Sequence, residues 1–124
     1  MSLYKKTIGW KNNRIFELAH QVGWHPKLRE VLLWIVKLTG EVIITSGYRP
    51  TRIYSNDSGV HGTNPLRAVD LRYYIYANAE ALQDQINLVF TYDPSRPLLR
   101  VAWLHDTGQG KHFHIQVHNK TTKV

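Results

Sequence analysis

The sequence predicts an α+β fold, with a small, mainly antiparallel sheet and N-terminal helices packed on one of its faces. Two segments near the N-terminus have the spacing of apolar residues that is typical of helices. Runs with strand character are concentrated later in the chain, where only one further helix interrupts them. Hydrophobic residues make up 43% of the 124 residues, enough for one core, so a single domain over residues 1–124 is expected.

Two helices are predicted before the first strand. Asn12 or Asn13 can cap the first helix, which is expected to run to about Val22. Pro26 suits the first turn of the second helix, whose apolar residues recur every three or four positions until Gly40 stops it. These two helices are expected to pack together.

Four runs that are β-branched or that alternate apolar and polar residues are predicted to be strands. In the last of them, His112 and His114 fall on one face, while Phe113 and Ile115 fall on the other. One face of this strand should therefore belong to the core and the other to solvent or chemistry. The predicted strands are Glu41–Ser46, Arg67–Tyr74, Leu98–Leu104 and His112–His118, with a capped helix at Asn78–Val89 between the second and third.

Two segments are predicted to be irregular. Tyr48–Leu66 contains prolines, glycines and small polar residues without sustained periodicity, so it is expected to be a long loop. Long loops in compact domains are often functional. The polar tail Asn119–Val124 is expected to fray.

The composition limits the kinds of partner and site. A net charge of +7 favours anionic surroundings, such as nucleic acid, a membrane surface or a cell-wall polymer. The chain has no cysteine, which leaves histidines and carboxylates as its strong metal ligands. No apolar run is long enough to span a bilayer, and the N-terminus lacks the apolar core of a signal peptide, so synthesis in the cytoplasm is expected.

Three residues could form a metal site. His61 lies in the long loop, Asp70 in an apolar strand, and His114 on the polar face of the last strand. A buried carboxylate needs a cationic partner, which for Asp70 is either an arginine such as Arg67 or Arg72, or a metal ion. Three N/O ligands with one open position are typical of catalytic zinc sites.

The order of short motifs resembles a known peptidase family. Ser46-Gly47-Tyr48-Arg49 follows the first strand, and Ser58-x-x-His61, Arg67-Ala68-x-Asp70 and His112-x-His114 come after it. This order, over residues 41–118, resembles the zinc D-Ala-D-Ala carboxypeptidase family. The family includes phage L-alanyl-D-glutamate endopeptidases, the murein endopeptidase and, as a divergent relative, the hedgehog signalling domain.

The resemblance implies a hedgehog-like peptidase fold and a zinc metallopeptidase, a hydrolase that degrades peptidoglycan stem peptides. His61, Asp70 and His114 would bind Zn²⁺, Arg49 would contact a carboxylate or carbonyl oxygen of the substrate, and Ser58 would offer a hydroxyl to the substrate or to a ligand. Peptidoglycan peptides would be the partners, reached after release of the protein, as for phage lysins. A monomer is expected, and nucleic acid is not an expected partner because no nucleic-acid motif is present.

Two positions depart from the family pattern. Asp70 follows His61 by nine positions, two more than is usual there, and Lys111 stands where many relatives carry the acid that serves as general base. His112 and Asp106 are the alternative residues for proton transfer, with His112 favoured. The alternative to an enzyme is a non-catalytic, zinc-containing module of the same fold that binds cell wall or protein. The remaining histidines are expected at the surface or in packing: His20, His25, His105 and His118.

Overall fold

The computed structural model describes residues 8–49, 59–106 and 110–124, and within these ranges it confirms the α+β class. Its three helices are α1 (Asn13–Ala19), α2 (Pro26–Thr39) and α3 (Ala79–Val89), and a short 3-10 turn occupies Val60–Gly62. Its strands are β1 (Ile8–Trp10), β2 (Val42–Ser46), β3 (Ala68–Leu71), β4 (Phe90–Thr91), β5 (Ala102–Asp106), β6 (Lys111–Gln116) and β7 (Thr122–Lys123).

Five strands form one mixed sheet in the order β1-β2-β3-β6-β5. β1 pairs parallel with β2, and all the other neighbours in this sheet pair antiparallel. The register places Asp70 of β3 opposite His114 of β6, and His114 opposite Trp103 of β5. The sheet therefore brings the predicted ligands of two separate strands side by side.

Each helix begins where the sequence offers a cap. Asn12 Oδ1 accepts a hydrogen bond from the backbone of Ile15 at 3.0 Å, and Asn78 Oδ1 accepts one from Ala81 at 3.0 Å. α2 begins at Pro26 and ends at Gly40, whose φ of 99° is the left-handed conformation that glycine adopts without strain. α1 ends at Ala19, earlier than the predicted Val22.

One face of the sheet packs against the helices. Phe113 and Ile115 of β6 are fully buried in the same cluster as apolar residues of α2 and α3. Alternation along β6 then directs His112, His114 and Gln116 to the opposite face of the sheet. The helix-covered face forms the core, and the other face carries the candidate site.

Several boundaries differ from the predicted ones. The strand predicted at Leu98–Leu104 is β5, which starts at Ala102 because turns occupy the preceding residues and leave Leu98 exposed. The tail does not fray, because β7 pairs with β4 and Thr121 Oγ1 donates to Tyr92 O at 2.8 Å. No helix among the described residues is long and apolar enough to cross a membrane.

Candidate metal centre

Asp70 lies at the centre of the candidate site. Its strand is buried at every position, and the side chain of Asp70 is only 6% exposed. Asp70 Oδ1 lies 2.9 Å from His114 Nδ1 and 3.4 Å from His61 Nε2. The potential ligand atoms of these three residues all lie within 4.8 Å of one another, so the group could hold a metal ion.

His61 reaches the site from the 3-10 turn at Val60–Gly62. Its ring is 3% exposed, and its Nδ1 lies 2.8 Å from Gly47 O. The backbone N–H of Arg49 donates to His61 O at 2.8 Å, which ties this turn to the segment after β2. The turn therefore brings His61 to the carboxylate of Asp70, nine positions later in the chain.

In each histidine, the ring nitrogen that points away from Asp70 also faces an oxygen. His61 Nδ1 donates to Gly47 O, and His114 Nε2 lies 3.1 Å from Gln116 Oε1. Gln116 Nε2 donates to Arg100 O at 2.9 Å, so the amide oxygen is the atom that faces His114. These partners place the ring protons on His61 Nδ1 and His114 Nε2. The other two nitrogens, His61 Nε2 and His114 Nδ1, then direct their lone pairs at Asp70.

Two lone pairs and a carboxylate that converge on one point repel one another unless positive charge lies between them. Burial by itself raises the pKa of Asp70. When both rings are protonated instead, hydrogen bonds from His114 and His61 and the charges of the rings outweigh the burial and hold the pKa of this carboxyl well below its ordinary value. Asp70 is therefore ionised, and protons or a metal cation must neutralise the group. Two imidazole nitrogens and one carboxylate oxygen form a donor set that suits Zn²⁺.

Arg49, which the resemblance implies as a substrate contact, borders the group. Its Nη1 lies 3.7 Å from Asp70 Oδ2 and donates to Ser46 Oγ at 3.0 Å, and its side chain is 14% exposed. The guanidinium thus stands at the edge of the metal group with part of its surface open to a ligand. Ser58 lies outside the described residues.

The two residues predicted for proton transfer are placed differently. His112 is half-buried on the face that carries His114, and it lines the same cavity as Asp70. Asp106 is exposed at the end of β5, where alternation puts it on the face of Leu104, opposite to the face of His114. The structure brings His112 to the site and does not bring Asp106 there.

His105 is a site residue that the sequence analysis missed. Its ring centroid lies 5.8 Å from that of His114, and its other neighbour is the ring of Trp103 at 5.9 Å. Burial lowers the pKa of His105, and the charge of His114 acts in the same direction. The alternation of Trp103, Leu104 and His105 is the sequence pattern that predicts this position, but the predicted strand ended one residue before His105.

No family model, curated protein or solved structure compared with the chain matches it. The chemistry of the site therefore has to follow from its own residues. The described geometry provides a His-Asp-His group that could hold a metal, in which His61 and Asp70 are buried and His114 is half-buried, with an arginine at its border and a half-buried histidine beside it.

Proposed function

We propose that this protein is a zinc peptidase that hydrolyses peptide bonds in peptidoglycan stem peptides, with a hedgehog-like or D-Ala-D-Ala carboxypeptidase-like fold. One observation carries the proposal. His61 Nε2, His114 Nδ1 and Asp70 Oδ1 converge while an oxygen holds the far nitrogen of each ring. This is the usual arrangement of histidines that bind zinc.

The number and position of the ligands favour a catalytic site over a structural one. Structural zinc sites are closed by four protein ligands, whereas catalytic sites use three and keep one position for water or substrate. The group found among the described residues has three members. It lies on the sheet face opposite the helices, beside a cavity that substrate could enter. The motif order along residues 41–118 supports the choice of a peptidase.

The surrounding residues have separate tasks in this proposal. Arg49 binds a carboxylate or carbonyl oxygen of the substrate, since its guanidinium lies beside the metal group and is partly open. His112 passes a proton to the leaving amine from its place at the cavity. A bound zinc ion would supply Lewis-acid polarisation of the scissile carbonyl and a nucleophile at neutral pH.

The proposal is tested by metal content and cleavage measured together. Purified wild type should contain one zinc per chain and should release peptides from peptidoglycan between about pH 5 and about pH 9. Asp70→Ala should lose both the zinc and the activity. Asp84→Asn, an exposed change on α3, is the control and should keep both. Unchanged zinc in Asp70→Ala would overturn the site assignment.

A specific observation supports a second candidate, a zinc-containing module that binds cell wall or protein without turnover. Lys111 occupies the position of the usual acid, and its Nζ lies 5.5 Å from the centroid of the Tyr73 ring. A charged lysine cannot accept a proton. Stoichiometric zinc and measurable wall binding, together with no cleavage of peptidoglycan or of D-amino-acid peptides, would establish this alternative.

A further inference from the structure

A cavity of about 380 Å³ opens beside the candidate metal centre. Asp70 and Arg49 form one side of it, so it borders the site of the proposed reaction. Three further cations, which no motif singled out for substrate, line the rest of its wall: Lys11, Arg72 and Lys111.

The backbone fixes where these cations stand. The N–H of Lys11 donates to Ile44 O at 2.9 Å, which extends the pairing of β1 with β2. The N–H of Arg72 donates to Ile43 O at 2.8 Å directly after β3, and Lys111 is the first residue of β6. The five-stranded sheet therefore holds the three side chains at a common cavity.

Aromatic rings hold two of the cations without neutralising them. Arg72 Cζ lies 5.4 Å from the centroid of the Tyr74 ring, and Lys111 Nζ lies 5.5 Å from that of the Tyr73 ring. Such cation–π contacts leave the full positive charge in place. The rings belong to the cavity wall as well, so these two charged groups lie at the cavity.

The charges of the described cavity lining are not balanced. Among the described residues, the lining contains four lysines and arginines and one carboxylate, Asp70, which already faces two histidines and Arg49. Within the described ranges, Lys11, Arg72 and Lys111 form no ion pair with a carboxylate. Asp106 stands opposite Lys111 in the strand register but does not line the cavity.

From this charge distribution we propose that the cavity binds a second negative group of the substrate, in addition to the carboxylate next to the bond that is cut. The inference rests on the proposed function and refines it. A D-Ala-D-Ala terminus and an L-Ala-D-Glu bond each place one carboxylate beside the scissile bond, where Arg49 could bind it. Lys11, Arg72 and Lys111 therefore favour a stem peptide that carries a further carboxylate.

The test uses the zinc-loaded full chain and two peptides. One is a stem peptide with a second free carboxylate besides the one next to the scissile bond, and the other carries an amide in place of that second carboxylate. Because a hydrogen bond to a charged group contributes about 1.5–3 kcal/mol, less when partly exposed, we expect wild type to prefer the acidic peptide by at least about tenfold in kcat/KM.

Variants assign the preference to the cavity. Arg72→Gln and Lys111→Gln should each reduce the ratio of acidic to amide peptide by at least about threefold, with zinc content unchanged. The matched control is Lys123→Gln, an exposed lysine of β7 that does not line the cavity, and it should keep the wild-type ratio. An equal ratio for both peptides in wild type, or the same ratio in all variants, would overturn the proposal.

A binding measurement separates this inference from the proposed function. Calorimetric titration of the zinc-loaded protein with the same two peptides requires no turnover. Tighter binding of the acidic peptide that is lost in Lys111→Gln would support the cavity assignment even if no bond is cut. Tighter binding of a single-stranded oligonucleotide than of the acidic peptide would overturn it and identify a phosphate-binding cleft.

Discussion

Gln116 Oε1 lies 3.1 Å from Nε2 of His114 on the open face of β6, two positions along the same strand. The amide nitrogen of Gln116 is engaged with Arg100 O at 2.9 Å, so the amide cannot rotate without losing that bond. The glutamine therefore keeps a proton on the far nitrogen of His114 and leaves Nδ1 to face Asp70.

This relationship predicts the effect of replacing Gln116. Gln116→Met removes the acceptor but keeps a side chain of similar length, and zinc affinity should fall by about 10- to 100-fold because the ring loses its fixed tautomer and orientation. Competition with a chromophoric chelator measures the change. Gln116→Glu also loses the bond to Arg100 but keeps an oxygen for His114, so its zinc affinity should stay close to that of wild type. Equal affinity in Gln116→Met and wild type would contradict the assigned role.

Removal of the metal should destabilise the folded protein. Zinc that binds only the native state stabilises it by about 2.7 kcal/mol when free zinc is about one hundred times Kd. A chelator should therefore lower the Tm of wild type by roughly 5 to 20 °C. Asp70→Asn should show no such dependence on zinc or chelator, because the buried group has lost the charged ligand between its two histidines. Differential scanning calorimetry with and without chelator gives the comparison, and a zinc-dependent Tm in Asp70→Asn would contradict it.

The three metal-ligand candidates could be predicted because local rules determine their positions. Alternation puts His112 and His114 on one face of β6, and a carboxylate inside an apolar strand requires a partner wherever that strand lies. The sequence left arginine and metal open as partners of Asp70. In the structure, the nearest groups are the two imidazoles, with Arg49 at 3.7 Å and neither Arg67 nor Arg72 within ion-pair distance.

Sequence patterns did not predict the features that depend on contacts between distant segments of the chain. β1 is three residues long and becomes a strand only by pairing in parallel with β2. The two-residue strands β4 and β7 depend in the same way on each other, and neither has a periodicity that a sequence pattern can detect. His105 was missed because its strand boundary was placed too early, and its position beside His114 follows from pairing with β6.

Asp93 predicts how stability changes at acid pH. The side chain accepts hydrogen bonds from Ser95 Oγ at 2.8 Å, from the Ser95 backbone at 3.0 Å and from Arg96 Nε at 2.8 Å. The bonds to Ser95, followed by that to Arg96, hold the pKa of the Asp93 carboxyl well below its ordinary value. Its stabilising contribution is therefore present above the unfolded pKa of about 3.9 and is lost as pH falls below that value toward the folded pKa.

Urea unfolding of wild type and Asp93→Asn checks this effect. The variant should be less stable at neutral pH, and the difference should shrink as pH decreases below about 4. Ser95→Ala, which removes the hydroxyl donor but leaves the carboxyl, should show a smaller change in the same direction. A difference between wild type and Asp93→Asn that stays constant from neutral to acid pH would show that the hydrogen bonds of Asp93 do not favour its charged form.

The placement of His112 and Asp106 on opposite faces of the sheet predicts which of them takes part in cleavage. His112→Gln keeps a polar side chain on the face of the metal group but removes the proton-accepting ring, so kcat should fall by about 10²- to 10⁴-fold. Zinc content should remain stoichiometric because His112 is not among the three candidate ligands. Asp106→Asn should leave kcat near that of wild type, since this side chain lies exposed on the face of Leu104. Steady-state cleavage of one stem peptide, with zinc measured in the same samples, distinguishes the two residues, and a loss of activity in Asp106→Asn alone would reverse the assignment.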